Sequence, residues 1–291
     1  MKHRTLVSGN HAVAGVIEAL LLVALVAVIL STIQLLYIPE IMEQREADHM
    51  DEVANQFSFL KSVIDLHAAT EKDVPITAPL TLGSRELPYF VTAAAYGELI
   101  VYDKEYKDIY KISVLSGSEI VPLTSIYYKA HNRYYPENKP GQEYILEGGA
   151  LILKQQDGEN MLIDPSITIS NKSGDITLEW ELPIFIGLPG KNATSGYKSC
   201  YIRTNYSRSD PWEEDTTDIN GILIYTDYPE AWNKSFNILL GSLNESKMIC
   251  KAEPPNQPDH VQIRKEGGGI IFRYKRTYIY VQVSPGWIDN N

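Results

Sequence analysis

Cysteine occurs only twice, at Cys200 and Cys250, and that scarcity removes whole classes of protein. Two thiols 50 positions apart form neither a CxxC redox pair nor any zinc-site spacing, and two are too few for a disulfide-dense scaffold. Histidine is nearly as sparse: His3, His11, His49, His67, His131 and His260 stand far apart, without metal-ligand spacing. No P-loop, GxSxG, HExxH or dinucleotide-type GxGxxG is present. Gly267-Gly268-Gly269 has no strand–helix context for phosphate and reads as a turn. The chain therefore predicts no catalytic residue, no bound metal and no cofactor. Positive charge is also short, 26 Lys and Arg against 37 Asp and Glu, for a net −11. Residues 1–38 carry Lys2, Arg4 and Glu18, a net +1, so the other 253 residues carry −12. A body that acidic repels nucleic acid and anionic lipid. Asp210-Pro211-Trp212-Glu213-Glu214-Asp215 packs four acids around one tryptophan. It lacks EF-hand spacing and reads as a solvated acidic loop rather than a calcium site.

What the chain does have is one long stretch almost without charge. Val16 to Ile38 is a run of 23 residues in which Glu18 is the single charged side chain. At 1.5 Å per residue a helix of that length reaches about 34 Å, enough for the hydrocarbon core of a bilayer. A secretory signal peptide has a shorter apolar region and a small-residue cleavage site. Gln34-Leu35-Leu36-Tyr37 offers no such site, so the helix is expected to be retained as a membrane anchor. Lys2, His3 and Arg4 precede it; Glu40, Glu43, Glu46, Asp48, Asp51 and Glu52 follow, opposed only by Arg45. The positive-inside rule then predicts a single pass, with a cytoplasmic N-terminus and everything after Ile38 outside the cell. In that oxidising setting Cys200 and Cys250 are a disulfide candidate, closing a loop worth roughly 4 kcal/mol on the chain-entropy model. The alternative is two buried free thiols.

Beyond the membrane run, Met50, Val53, Phe57, Leu60 and Ile64 recur at helical steps of three and four. Pro39 is expected to kink one long helix rather than to separate two. Its apolar stripe must bury against the downstream domain or a sister chain. After Thr70 prolines and β-branched and aromatic residues take over, and strand-like runs follow one another between turn signals. They are Glu98–Tyr102, Ile109–Leu115, Ile120–Tyr128, Ala150–Gln155, Met161–Ile163, Ile167–Ser170, Ile176–Leu182 and Ile219–Tyr225. Asp227-Tyr228-Pro229-Glu230 opens a helix, with an acid to cap it and Trp232, Phe236, Leu239 and Leu240 on one face. His260–Lys265, Ile270–Lys275 and Thr277–Val283 read as a closing hairpin or meander. The predicted fold class is α+β: a long N-terminal helix, transmembrane and then amphipathic, followed by a mainly antiparallel β-rich head. The predicted divisions are a basic leader at 1–15, a transmembrane helix at 16–38, a stalk helix at 39–70 and an extracellular domain at 71–291.

Ala12-Val13-Ala14-Gly15-Val16-Ile17-Glu18-Ala19-Leu20-Leu21-Leu22 resembles the amino-terminal signature of archaeal type IV pilin-like proteins. Those carry a short basic leader and then a segment of the type A-V-S-x-V-I-G-x-I-L-L. The resemblance implies a membrane peptidase that removes the leader before the helix, and sister pilin-like subunits as partners. Two positions depart from the pattern: Glu18 replaces a small residue, and His11 replaces a basic residue near the cut. Cleavage after Ala12, Val13 or Gly15 would leave Glu18 as the sixth, fifth or third mature residue. Tyr144–Pro165 (YILEGGALILKQQDGENMLIDP), with the later LPIF and DYPEAW, is similar to an uncharacterised archaeal surface-protein domain that follows such leaders. That similarity implies a location, not a chemistry.

A carboxylate at mid-bilayer costs about 2.5–3.5 kcal/mol. Glu18 is therefore read as an interfacial acid, as a partner for the new amine of a neighbouring subunit, or as a contact to another helix. Five N-x-S/T sequons, at Asn171, Asn192, Asn205, Asn233 and Asn244, all fall on the side expected to be external. They are glycosylation candidates. The sequence thus points to a non-enzymatic, membrane-anchored, pilin-like surface glycoprotein with a structural, adhesive or assembly role, in contact with the bilayer through residues 16–38. The alternative is a tethered extracellular enzyme or solute-binding protein, which would need a cleft of converging polar groups.

Overall fold

The computed structural model describes residues 10–83, 95–103, 110–114, 119–132, 141–172, 175–219, 221–241, 248–255, 259–266 and 270–283. The basic end of the leader, Asn244 and Gly267–Gly269 lie outside these residues. One helical rod opens the chain: α1 (Asn10–Thr32), a π-helical turn (Ile33–Tyr37) and α2 (Ile38–Thr70). Pro39 lacks the N–H that an α-helix would spend on Leu35, and the wider turn sits immediately before it. The helix does not end there, as expected from the sequence. It ends at Glu71, which adopts the left-handed conformation at φ 50° and whose N–H donates to the His67 carbonyl.

The head follows as strands. They are β1 (Ile76–Thr81), β2 (Tyr96–Tyr102), β3 (Lys111–Val114), β4 (Glu119–Pro122), β5 (Ser125–His131), β6 (Glu143–Glu147), β7 (Ala150–Gln155), β8 (Gly158–Ile163) and β9 (Ile167–Lys172). Then come β10 (Asp175–Gly187), β11 (Ala193–Gly196), β12 (Ser199–Ser209), β13 (Glu213–Ile219), β14 (Gly221–Tyr225), a helix α3 (Pro229–Gly241), β15 (Met248–Glu253), β16 (His260–Lys265) and β17 (Ile270–Val283). They form three sheets. The first runs β1-β12-β17-β10-β9, with β13 also on β17; the second runs β11-β2-β5-β6-β7-β8; the third runs β15-β16-β14-β3-β4. The architecture is α+β and mostly antiparallel, as the sequence predicts.

The exception is the pair of long strands β10 and β17, which run parallel from Ile176↔Ile270 to Gly187↔Val281. This pair spans both hydrophobic cores. In its first half Ile176, Leu178, Trp180, Ile270 and Phe272 face a core shared with α3 and the third sheet. In its second half Phe185, Ile279, Val281 and Val283 face a core shared with α2. On the side of the first half turned away from α3, paired positions carry opposite charges: Arg273 meets Glu179, and Lys275 meets Glu181 at 2.9 Å. Such cross-strand pairs contribute some 0.2–1 kcal/mol each.

Several local expectations need correction. His260–Lys265 and the final strand do not form a hairpin, because β16 pairs with β14 and β15 while β17 belongs to the first sheet. The two final runs are one strand of 14 residues. Ile120–Tyr128 is split between β4 and β5, which lie in different sheets. The acid that caps α3 comes from across the fold: the Glu230 N–H donates to the Glu159 carboxylate of β8 at 3.2 Å. Burial and the neighbouring Glu230 raise the pKa of Glu159, while Lys154 and the helix amides draw it down. Asp210 and Glu213 are not a free acidic loop; both neutralise Arg276, and Glu213 also accepts from the Tyr274 hydroxyl at 2.6 Å.

Candidate functional site

The feature the sequence singles out is the helical rod, and its surroundings change abruptly along its length. From Ala14 to Tyr37 no residue is buried. Leu21, Val23, Leu25, Val28 and Leu36 are all more than half exposed, which in water would be untenable for a helix this apolar. Among the described residues one helix is long and apolar enough to cross a membrane, and it is this one. Glu18 lies in its exposed N-terminal half.

Burial begins at Ile38 and is complete by Met42. From Ile38 one face of α2 is sunk in the head as far as His67, a span of about 44 Å. Met50, Val53, Phe57, Leu60 and Ile64, the stripe read from the sequence, all lie in the second core. Phe57 sits between Tyr144, at 5.9 Å between ring centres, and Tyr128, at 6.2 Å. The stripe is therefore covered by the protein's own head, against Leu80, Leu146, Ile202, Val281 and their neighbours.

Polar clamps fix the seat of the helix. The Gln56 amide accepts the Thr81 N–H at 2.8 Å and donates to the Thr81 hydroxyl at 3.0 Å. The Thr81 hydroxyl in turn donates to Glu52 at 3.0 Å. Glu71, at the end of the helix, pairs with Lys275 at 2.6 Å, and this pairing holds the Glu71 carboxyl below its ordinary range. Two histidines 18 positions apart, five helical turns, lie on the same buried face. His49 Nε2 is 3.1 Å from the Tyr128 hydroxyl, which donates to the Leu82 carbonyl at 2.8 Å. His67 Nε2 is 3.0 Å from the Thr204 hydroxyl, which donates to the Ile76 carbonyl at 3.3 Å. With both hydroxyl protons committed to carbonyls, each neutral ring must supply Nε2–H as the donor. Burial lowers the pKa of both imidazoles; Glu52 near His49 opposes that shift. The sequence singled out neither histidine. The signal was present: both fall on the stripe's heptad-like face, where an unpaired polar residue would be costly.

The remaining candidates are dispersed. Cys200 and Cys250 are both free. The expected bridge is not formed, because Cys200 lies on β12 in the core beneath α2, and Cys250 lies on β15 in the core beneath α3. Burial pushes both thiols up to about 12. Asn171 is exposed at the end of β9, and Asn192 is half-buried just before β11. Asn205, on the interior strand β12, has its side-chain oxygen buried without a hydrogen-bond partner. Asn233, on α3, has its side-chain oxygen held by the Asn237 amide at 2.9 Å and the Cys250 thiol at 3.4 Å. Asn244 lies outside the described residues. Among the described residues no group of three or more His, Cys, Asp or Glu could hold a metal ion. A groove of about 660 Å³ runs between α2 and β1, bordered by Asp48, Asp51, Glu52 and Phe59. Comparison with family models, curated proteins and solved structures returns no match for this chain.

Proposed function

We propose that this chain is a membrane-anchored, pilin-like cell-surface protein of the archaeal kind, with a structural, adhesive or assembly role. One observation carries the reading. A bare apolar helix runs, without an intervening linker, into a helix that forms a wall of the head's core. A flexible tether would let the head drift from its anchor; here the helix is continuous from the apolar run into the head, and burial begins at Ile38, directly after that run. An object of this design presents a β-rich body at a fixed height and orientation, which suits a scaffold or a subunit. The charge asymmetry around the helix supports a cytoplasmic N-terminus and an external head. The resemblance of Ala12–Leu22 to pilin-like leaders supports removal of the first residues.

Cell fractionation tests the reading. The native protein should stay in the membrane pellet through an alkaline carbonate wash. An impermeant lysine-reactive label added to intact cells should mark the head, and the mature N-terminus should lie within residues 13–16. Release by carbonate, or a head that labels only after lysis, would overturn it.

A further inference from the structure

Four exposed aromatic side chains of the head are joined by a chain of neighbours. Phe59 stands on α2, Tyr96 opens β2, and Tyr197 and Tyr201 flank the start of β12; each is between 41% and 58% exposed. Phe59 and Pro79 border the groove between α2 and β1. Pro79 pairs with Tyr201 across β1 and β12, and the rings of Tyr197 and Tyr96 are 6.1 Å apart. Aromatic surface gathered in this way, beside charged residues, marks an interaction face.

The face has a direction. At one level the Thr81 N–H bonds Gln56; at another the Ile76 carbonyl and His67 share the Thr204 hydroxyl. From Gln56 to His67 the helix rises about 16 Å, and from Ile76 to Thr81 the strand rises about as much. β1 therefore runs antiparallel to α2 and in step with it. β12 lies next, antiparallel to β1. The order across the face is α2, β1, β12, all aligned with the helix that continues from the membrane run. Charge is divided along that order. Asp48 and Asp51 line the groove on the α2 side, and neither has an ion-pair partner among the described residues. On the β12 side Lys198 is exposed, also without an ion-pair partner among the described residues. Its carbonyl accepts the Leu82 N–H at 3.4 Å, one residue beyond Thr81, so Lys198 stands level with the Asp51–Gln56 turn of α2.

We infer that this face is the contact between two copies of the chain standing side by side in one membrane. This rests on the proposal that the apolar helix is an anchor, because a shared bilayer holds both copies parallel and brings equal levels together. A two-fold axis parallel to α2 and beside Pro79 sets β12 of each copy against α2 of the other. Lys198 then meets Asp48 and Asp51, and Tyr201 meets Phe59 over the groove, each contact occurring twice. A contact of α2 against α2 would instead face these acids with their own copies, and like charges disfavour it. The second copy is the occupant whose charge, level and orientation all match.

Cross-linking of the full-length protein in carbonate-washed membranes tests the contact. Pro79→Cys puts a thiol beside the axis, where it meets its own copy; Ile238→Cys, exposed on α3, is the control. The native thiols are buried and stay out of the reaction. The Pro79→Cys protein should run, without reductant, at twice the mass of the chain, and the Ile238→Cys protein at the mass of the chain. Adding Lys198→Glu should cut the linked fraction about fivefold, because the symmetry counts the lost pair twice. Adding Asp48→Lys and Asp51→Lys to that variant should restore it. Loss of the protein from the washed membranes would overturn the anchored reading and this inference with it. Protein that is retained but unlinked at Pro79, or linked equally at Ile238, would overturn this inference alone. So would a linked species of any other mass, which would give the face to a different partner, or linking that ignores the charge reversal.

Discussion

At the scale of single residues, the same side-chain types take different roles according to what surrounds them. Cys200 and Cys250 are separated by the division of the head into two cores, which spacing along the chain cannot reveal. A thiol held near 12 is almost wholly protonated at neutral pH, and the thiolate is the reactive form. We therefore expect the native protein to resist alkylation at both positions and to take up two equivalents of reagent once denatured. A linked Cys200–Cys250 peptide in non-reducing mass mapping would contradict this. Glu18 is different: on the proposed pilin-like reading, a partner for it would come from a neighbouring subunit. Leader removal would create an amine beside the lipid, and a carboxylate at similar depth on a neighbouring helix would neutralise it. Losing one member of such a desolvated pair strands the other, at a cost of about 3–5 kcal/mol. Glu18→Ala should thus leave insertion and head folding unchanged and reduce the recovery of assemblies sheared from cells. Equal recovery would leave Glu18 as an interfacial acid only.

At the scale of elements, α2 carries two groups that make the head respond to pH. Its two buried histidines are lowered from their ordinary value of 6.5 by burial. In the unfolded chain they titrate near that value. As pH falls through 6.5 the unfolded chain gains protons first, so the seating of the helix weakens; above that range its contribution is fully present. The thermal midpoint should fall between pH 7.5 and pH 5, and a His49→Gln, His67→Gln variant should lose much of that dependence. An unchanged slope in the variant would show that other groups control it. Elements with strong local periodicity were legible in the sequence. The α2 stripe, α3, β7 and β16 lie where their spacing places them, because an apolar face is a local pattern. Partnership was not legible. That β16 and β17 separate into different sheets, or that Glu159 caps α3, depends on contacts between residues far apart in sequence. Even β6 was missed, although Gly148-Gly149, with φ of 56° and 85°, is a two-residue hairpin signal between apolar runs. The clamps of the helix seat, Gln56 to Thr81 and His67 to Thr204, were hidden for the same reason.

At the scale of the whole molecule, the boundary between anchor and head falls at Ile38 rather than at the end of the helix. The five stripe residues from Met50 to Ile64 are each at most 2% exposed. At roughly 1.5–3 kcal/mol for each fully buried side chain, their combined burial rivals the entire net stability of a domain, about 5–15 kcal/mol. The head therefore cannot treat α2 as an accessory. Removing it would expose Leu80, Tyr128, Tyr144 and Val281 to water and strip the Thr81 N–H of its partner at an open sheet edge. A fragment of residues 38–291, exported without the membrane helix, should be soluble and melt in one cooperative transition. A fragment of residues 71–291, which keeps every strand, should aggregate or fail to fold. Adding residues 38–70 as a separate peptide should restore part of the transition, since the seat is shaped for that helix. A cooperative, monomeric 71–291 fragment would mean that the helix merely rests on a finished domain, and the rigid continuity between membrane and head would lose its physical basis.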